Sequence, residues 1–163
     1  MSQRDSKWLQ SGPPRTDARV RLICFPHGGG GAQAFREWQA ALPQWIEVLA
    51  IAPPGRGARL REPAITDMAT MRAQVAEAIA PSLDRPFALF GHSMGAAVAF
   101  EFGRRMQTVY GRVPLYAFLS ACRAPQSLNT RPPLHELSDE QLVEQLLQRY
   151  GQSSVSKDEL ELM

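Results

Sequence analysis

Phe87-Ala88-Leu89-Phe90-Gly91-His92-Ser93-Met94-Gly95-Ala96-Ala97-Val98 changes character at one serine. Residues 87–90 read as a short buried strand and residues 95–106 as a helix, so Ser93 stands at a strand-to-helix hinge. Gly91-His92-Ser93-Met94-Gly95 fits the G-x-S-x-G elbow, in which a sharp turn lifts the serine hydroxyl out of the sheet with backbone N–H groups beside it. A turn this tight presses together the positions two before and two after the serine, so neither accepts a large side chain. Three fixed positions among common residues are a weak signal alone. What decides is the context: a strand before, a helix after, and a second glycine-rich turn able to donate hydrogen bonds.

That second turn follows Val20-Arg21-Leu22-Ile23-Cys24-Phe25, a strand pattern broken by Pro26, and reads His27-Gly28-Gly29-Gly30-Gly31. Consecutive glycines at a strand end let the backbone approach a ligand and present free N–H groups, which suits an anion or a developing oxyanion. A flexible linker and a phosphate loop are the alternatives. The run lacks the Gly-Lys-Ser/Thr ending of a P-loop, and no acidic partner of a dinucleotide site is evident further on.

Residues 32–42 form the next helical segment, with Phe35, Trp38 and Leu42 on one face and Pro43 to stop it. Residues 46–51 are a strand, and residues 52–59, with their prolines and glycines, can only be loop. Arg56, Arg59 and Arg61 in or beside that loop are either solvated or face an acidic group on a substrate or partner. Thr66 caps a helix to about residue 83, with Met68, Met71, Val75 and Ile79 toward the core. In the elbow helix Gly95, Ala96, Ala97 and Ala99 give a small-residue face for close packing on the sheet. Residues 115–120 are a fourth strand, apolar on both faces. This alternation gives an α/β fold, a doubly wound and mostly parallel sheet with helices on both sides.

The ends differ in character. Residues 1–18 are polar with Gly12-Pro13-Pro14 and read as a flexible tail; residues 19–124 are the core. Within residues 125–163, an irregular linker precedes Ser138-Asp139-Glu140-Gln141, a capping box for a helix carrying Leu142, Val143, Leu146, Leu147 and Tyr150 on one face. Ser156-Lys157-Asp158-Glu159 opens another. Two helices outside the strand alternation suit a lid over the sheet's C-terminal edge, where open α/β sheets bind ligands.

With 44% hydrophobic residues among 163, the chain suits one domain with a real core. Its net charge of +2, from 18 basic against 16 acidic residues, is too balanced for a nucleic-acid partner. No export signal and no membrane-spanning apolar run is present, so a cytoplasmic protein is expected. Cys24 and Cys122 read as buried thiols of a reducing compartment, and the scattered His27, His92 and His135 offer no metal site.

Four motifs in order give a resemblance: Phe25-Pro26-His27-Gly28-Gly29-Gly30, Pro54-Gly55-Arg56-Gly57, Gly91-His92-Ser93-Met94-Gly95 and Pro132-Pro133-Leu134-His135-Glu136-Leu137-Ser138-Asp139. Together they resemble the type II thioesterases of non-ribosomal peptide and polyketide synthesis, over essentially residues 19–163. The resemblance implies an α/β-hydrolase fold with a helical lid from about residue 125. It implies hydrolysis of acyl groups from the phosphopantetheine arm of acyl or peptidyl carrier proteins, with no cofactor of the enzyme's own. Ser93 would be the nucleophile, and the Met94 N–H with an N–H from the Gly28-Gly29 turn would form the oxyanion hole.

One departure stands against these matches. In this fold the acid and then the histidine follow the serine along the chain. Between Ser93 and His135 the acidic residue is Glu101, which eight residues into the helix lies about 12 Å along its axis. His135 matches the family as a lid residue, His92 is expected to point away from Ser93 into the structure, and His27 to shape the glycine turn. No catalytic acid or base is therefore expected in this chain. It reads as an N-terminal piece, weakly active or inactive, whose missing partners would lie beyond Met163. Residues 115–120 would then be an apolar open edge inviting self-association. Two further readings stay open: a non-catalytic module that binds carrier proteins, and an esterase acting on small esters.

Overall fold

Val20–Phe25 (β2) pairs in parallel with Ile46–Ile51 (β3) on one side and with Phe87–His92 (β4) on the other, so that Ile23 stands between Leu49 and Leu89. A strand covered on both faces needs apolar residues at every position rather than at alternate ones. Ile23 and Phe25 go to one face, where Ile51 and Leu89 join them; Leu22 and Cys24 go to the other, with Val48, Ala50 and Phe90. The structure, a computed structural model, describes residues 6–124, 127 and 137–150. The chain divides into two compact units, Met1–Pro125 and Gln126–Met163.

Helix α2 (Met68–Ile79) and the elbow helix α3 (Met94–Tyr110) cover the first face with Val75, Ile79, Val98, Phe102 and Met106. Ala97, read as part of the small-residue face, is exposed. The second face is covered by a 3-10 turn, Ala32–Phe35, and a short helix α1 (Trp38–Ala41). The single helix expected over residues 32–42 is thus broken in two. Its apolar spacing still holds: Phe35 and Trp38 pack edge-on to Phe90, with ring centroids 6.0 and 4.7 Å away. The carboxylate of Asp67, not Thr66, caps α2, accepting the Thr70 N–H at 2.7 Å. Another 3-10 turn, Ala80–Ser82, follows α2.

With Leu9–Gln10 as β1 and Ala117–Ser120 as β5, the sheet order is β1-β3-β2-β4-β5. Its antiparallel edge, β1 (Leu9–Gln10), lies in the stretch read as a flexible tail, and residues 6–18 are in fact built into the unit. Trp8 is buried in the core, the Arg59 guanidinium lies 5.0 Å from its ring centroid, and Arg15 donates to the carbonyls of Leu42, Pro43 and Ile46. Two apolar neighbours have no period to read, which is why the sequence pattern conceals this strand.

At the other edge β5 (Ala117–Ser120) runs parallel to β4, with Phe118 beside Phe90. Its second side has no strand among the described residues, and Leu115, Tyr116 and Phe118 are exposed, unlike the covered strand first expected. Cys24 is buried, which pushes its thiol up to about 12, whereas Cys122, just past β5, is exposed rather than buried. Near the N-terminal end of the sheet, Arg21 and Glu47 face each other in register with Nε 2.9 Å from Oε2, both nearly sealed from water. Arg21 also donates to Asp84 and to the Ser82 carbonyl.

In the second unit α4 (Asp139–Tyr150) begins with the expected capping box: the Gln141 N–H donates to Ser138 Oγ at 3.3 Å, and the Ser138 N–H to Gln141 Oε1 at 3.2 Å. Leu142, Val143, Leu146 and Leu147 are half-buried, while Glu144 and Gln148 are exposed. The Tyr150 side chain, His135 and the helix read at Ser156 lie outside the described residues. No helix among those described is long and apolar enough to cross a membrane.

Candidate active site

Ser93 has φ 54° and ψ −119°, a backbone conformation that residues with a Cβ rarely adopt. Such strain costs about 1–3 kcal/mol and persists only where the surroundings enforce it. Here the enforcing contacts are visible. The Ser93 N–H donates to the Ser120 carbonyl at 2.9 Å, and the Ser93 carbonyl accepts the Ala96 N–H at 3.0 Å. A Cβ on Gly91 would stand 2.3 Å from the Gly95 carbonyl oxygen, and one on Gly95 would stand 2.3 Å from that of Phe25. The spacing read from the sequence therefore has a steric cause: both glycines touch backbone where no methyl fits.

Because α3 begins at Met94, the Met94 N–H is one of the first-turn donors that no helical carbonyl can satisfy, at the helix's positive end. The glycine turn lies against the same point. A Cβ on Gly28 would be 3.9 Å from the Met94 Cβ, Gly29 takes φ 78°, and the Gly30 N–H closes the turn onto the His27 carbonyl at 3.1 Å. Gly28 and Gly29 are exposed. A strained serine at a strand-to-helix turn, with a glycine turn set against the first helical residue, is the arrangement of a nucleophile elbow.

The histidines are placed differently from one another. His27 sends Nδ1 to the Gly28 carbonyl oxygen at 2.7 Å and packs its ring against Gly30, so it shapes the turn as expected. His92 is exposed, not directed into the structure: it ends β4 beside Ser120, and its Nδ1 lies 3.1 Å from Ser120 Oγ. The two rings meet edge to face, with centroids 6.4 Å apart. Ser120, which holds both the elbow N–H and His92, carries no local motif by which the sequence could reveal it.

Glu101 is held by Arg72 at 2.7 Å and by Arg104 at 3.2 Å, joining α2 to α3. Beyond Ser93 the other acids among the described residues are Asp139, Glu140 and Glu144 of α4, and no histidine is among them. No described group of three or more His, Cys, Asp or Glu side chains could hold a metal ion. The loop arginines part company. Arg59 is buried and donates to the Ala52 carbonyl at 2.7 Å and to both oxygens of Glu62 at 2.8 and 2.6 Å, so it is neither solvated nor turned to a ligand. Hydrogen bonds from Arg59 and then Lys7 hold the Glu62 carboxyl down at about 2. A cleft lined by Trp8, Arg59, Glu62 and Thr70 contains no residue of the elbow.

Known proteins place this geometry. Residues 20–163 match the family model described as Thioesterase domain. Linear gramicidin dehydrogenase LgrE of Brevibacillus parabrevis is 42% identical over 141 residues, covering 86% of this chain and 54% of that protein. Gramicidin S biosynthesis protein GrsT of Aneurinibacillus migulanus is 37% identical over 158 residues, covering 97% and 62% respectively. The structure of the type II thioesterase BorB from the borrelidin biosynthetic cluster superposes with a TM-score of 0.77 at 37% identity, over 86% of this chain and 60% of BorB. The chain thus spans between half and two thirds of the length of these relatives. Its elbow, glycine turn and mostly parallel sheet are those of an α/β-hydrolase, and the chain belongs to the thioesterase-domain family.

Proposed function

We propose that this chain supplies the nucleophile and the oxyanion-binding part of an editing thioesterase, which frees acyl groups from the phosphopantetheine arm of acyl or peptidyl carrier proteins in peptide or polyketide antibiotic synthesis. The observation that carries this is the strained Ser93 at the start of α3, with the Gly28 turn lying against Met94. Ser93 Oγ adds to the thioester carbonyl, the carbonyl oxygen takes the charge beside the Met94 N–H and the Gly28-Gly29 turn, and the C–S bond breaks to release the arm's thiol. Water then cleaves the acyl-serine ester to a carboxylic acid and regenerates the hydroxyl. GrsT, by name, acts in gramicidin S biosynthesis, and BorB is by name a type II thioesterase; both support this substrate class. LgrE is named a dehydrogenase, but the elbow serves acyl transfer, and the glycine turn lacks the dinucleotide fingerprint. The reaction needs no cofactor of the protein's own, and its place is the cytoplasm.

His27 and His92 each use Nδ1 on a partner other than Ser93, and neither is hydrogen-bonded to the Ser93 hydroxyl, so a base is not in place among the described residues. Slow turnover follows, since oxyanion binding and positioning leave residual catalysis when a triad is incomplete. Incubation with an acyl-carrier thioester should release acid slowly, and Ser93→Ala should abolish the release. Release that survives Ser93→Ala refutes the assignment. The same observation favours a second reading, carrier binding without hydrolysis, which predicts equal binding by the parent and Ser93→Ala with no acid formed. The side of β5 that no strand pairs among the described residues, with Tyr116 and Phe118 exposed, supports self-association of this chain. Sedimentation velocity should show a dimer or larger species that Phe118→Lys disperses.

A further inference from the structure

The arginines of the first unit have two fates. Near the start of β2, Arg21 is engaged by Glu47 and Asp84, Arg15 by the carbonyls of Leu42, Pro43 and Ile46, and Arg85 by the Ala18 carbonyl at 2.5 Å. In the loops after β2 and β3, at the sheet edge that holds Ser93, only Arg59 is engaged in this way. The side chains of Arg36, Arg56 and Arg61 make no hydrogen bond or ion pair among the described residues; Arg36 and Arg61 are exposed and Arg56 is half-buried.

These loops are continuous with the elbow. Gly28 lies against Met94, and a Cβ on Gly31 or Gly57 would meet the Gln33 carboxamide oxygen at 2.4 or 2.7 Å. The glycine turn, residues 32–36 and the loop of residues 55–61 therefore abut. Acids nearby are largely occupied: Glu62 is paired with Arg59 and Lys7, and Asp67 caps α2, leaving Glu37 beside Arg36. Among the described residues the edge thus presents three free guanidinium groups against one free carboxylate. A guanidinium accepts a carboxylate bidentately when a partner brings one, so this rim is complementary to an acidic protein surface. Any carrier whose arm reaches Ser93 must rest its own surface on the loops of this edge.

We infer that Arg36, Arg56 and Arg61 form a basic docking rim for an acidic face of the carrier protein. The inference rests on the carrier reading given above. Binding of a fluorescently labelled acyl-carrier protein, and of the same carrier lacking its arm, is measured against three proteins: the parent, Arg36→Glu/Arg56→Glu/Arg61→Glu, and an Arg19→Glu/Arg112→Glu control. Arg19 and Arg112 are exposed and likewise unpaired, but they precede β2 and follow α3, at the opposite edge. The triple reversal should weaken binding of both carrier forms about tenfold or more and flatten its salt dependence, with the control within about twofold. Should the reversal fail to fold, Arg56→Gln/Arg61→Gln, both at loop positions, gives the same reading with a loss of about threefold. Parent-like affinity in the reversal overturns the rim, as does an equal loss in the control. Loss confined to the arm-bearing carrier assigns the arginines to the arm's phosphate and overturns the rim too. Absence of carrier binding by the parent is a different result, which removes the carrier reading itself and the rim with it.

Discussion

Gly95→Ala puts the steric account of the elbow at risk. The added methyl carbon would stand 2.3 Å from the Phe25 carbonyl oxygen and 2.4 Å from that of Pro26. Ordinary contact lies near 3.5 Å, so the end of β2 and the first turn of α3 must separate by about 1 Å. Both obstacles are backbone, and Phe25 is fixed in register beside Gly91, so no rotamer change relieves the clash. Overpacking of this kind costs about 1–3 kcal/mol. For a chain of this size that is a fall in melting temperature of about 4–12 °C at the middle and upper values. The same displacement moves the Met94 N–H from the Gly28 turn, and about 1 Å at a reacting centre is worth roughly 100-fold in rate. Thermal melts read the first effect, and phosphonylation of Ser93 by a fluorophosphonate, followed by intact mass, reads the second. Gly111→Ala is the control: Gly111 takes φ 63° with nothing within 4 Å of an added Cβ. It should lose only the left-handed cost of about 1–2 kcal/mol and leave labelling unchanged. A Gly95→Ala protein that melts within about 1 °C of the parent and labels at the same rate would refute the reasoning, since neither the predicted strain nor the displacement would then exist.

Three other outcomes follow from the first unit. Ala121 has φ 52°, so Ala121→Gly removes about 1–2 kcal/mol of left-handed strain while adding about 0.5–1 kcal/mol of unfolded-state freedom; the urea midpoint should rise slightly, and a clear fall would show the strain to be absent. Arg21→Met takes the guanidinium from the buried Glu47, to which the Arg15 N–H alone cannot restore a counter-charge, and should cost about 3–5 kcal/mol, whereas Arg21→Met/Glu47→Leu should recover most of that in denaturant titrations. Equal losses in both would show that the pair is not coupled. The Glu62 carboxyl, lowered from 4.5 to about 2 in the folded chain, adds stability that is complete above the ordinary carboxylate value and is lost as pH falls toward 2. Glu62→Gln should flatten stability against pH across that window, and an NMR titration of Glu62 with an ordinary midpoint would dismiss the Arg59–Glu62 clamp.

What the sequence discloses and what it hides divide along one line, the distance in the chain over which a constraint acts. The elbow is legible because its demands are local: Gly91 and Gly95 flank Ser93, and the contacts that forbid a Cβ there come from the turn itself and the neighbouring strand end. The capping box at Ser138 and Gln141 is legible for the same reason, both bonds closing within one helical turn. Arg56, Arg59 and Arg61, in contrast, share one loop and one composition, yet Arg59 alone is buried. Its fate is set by Trp8, far back in the chain, whose ring it covers, and by Glu62, whose carboxylate Lys7 also reaches. The tail reading fails with it, because the apolar pair Trp8-Leu9 acquires meaning only when β3 offers an edge to pair with.

His92 shows how this limit reaches the site itself. Its neighbours in sequence say only that it precedes the nucleophile; its direction is set by Ser120, which lies across the sheet in register with it and also binds the Ser93 N–H. A strand-end residue with no motif thus fixes both the nucleophile's backbone and the imidazole beside it. The chemistry runs the opposite way. Geometry sets the Ser93 elbow against the glycine turn, but a base requires a histidine whose ring nitrogen faces Ser93. The two described histidines are held through Nδ1, His27 at the Gly28 carbonyl and His92 at Ser120 Oγ, and neither is hydrogen-bonded to Ser93. A strained elbow serine with no described histidine bonded to it is the reason slow turnover is expected of this chain.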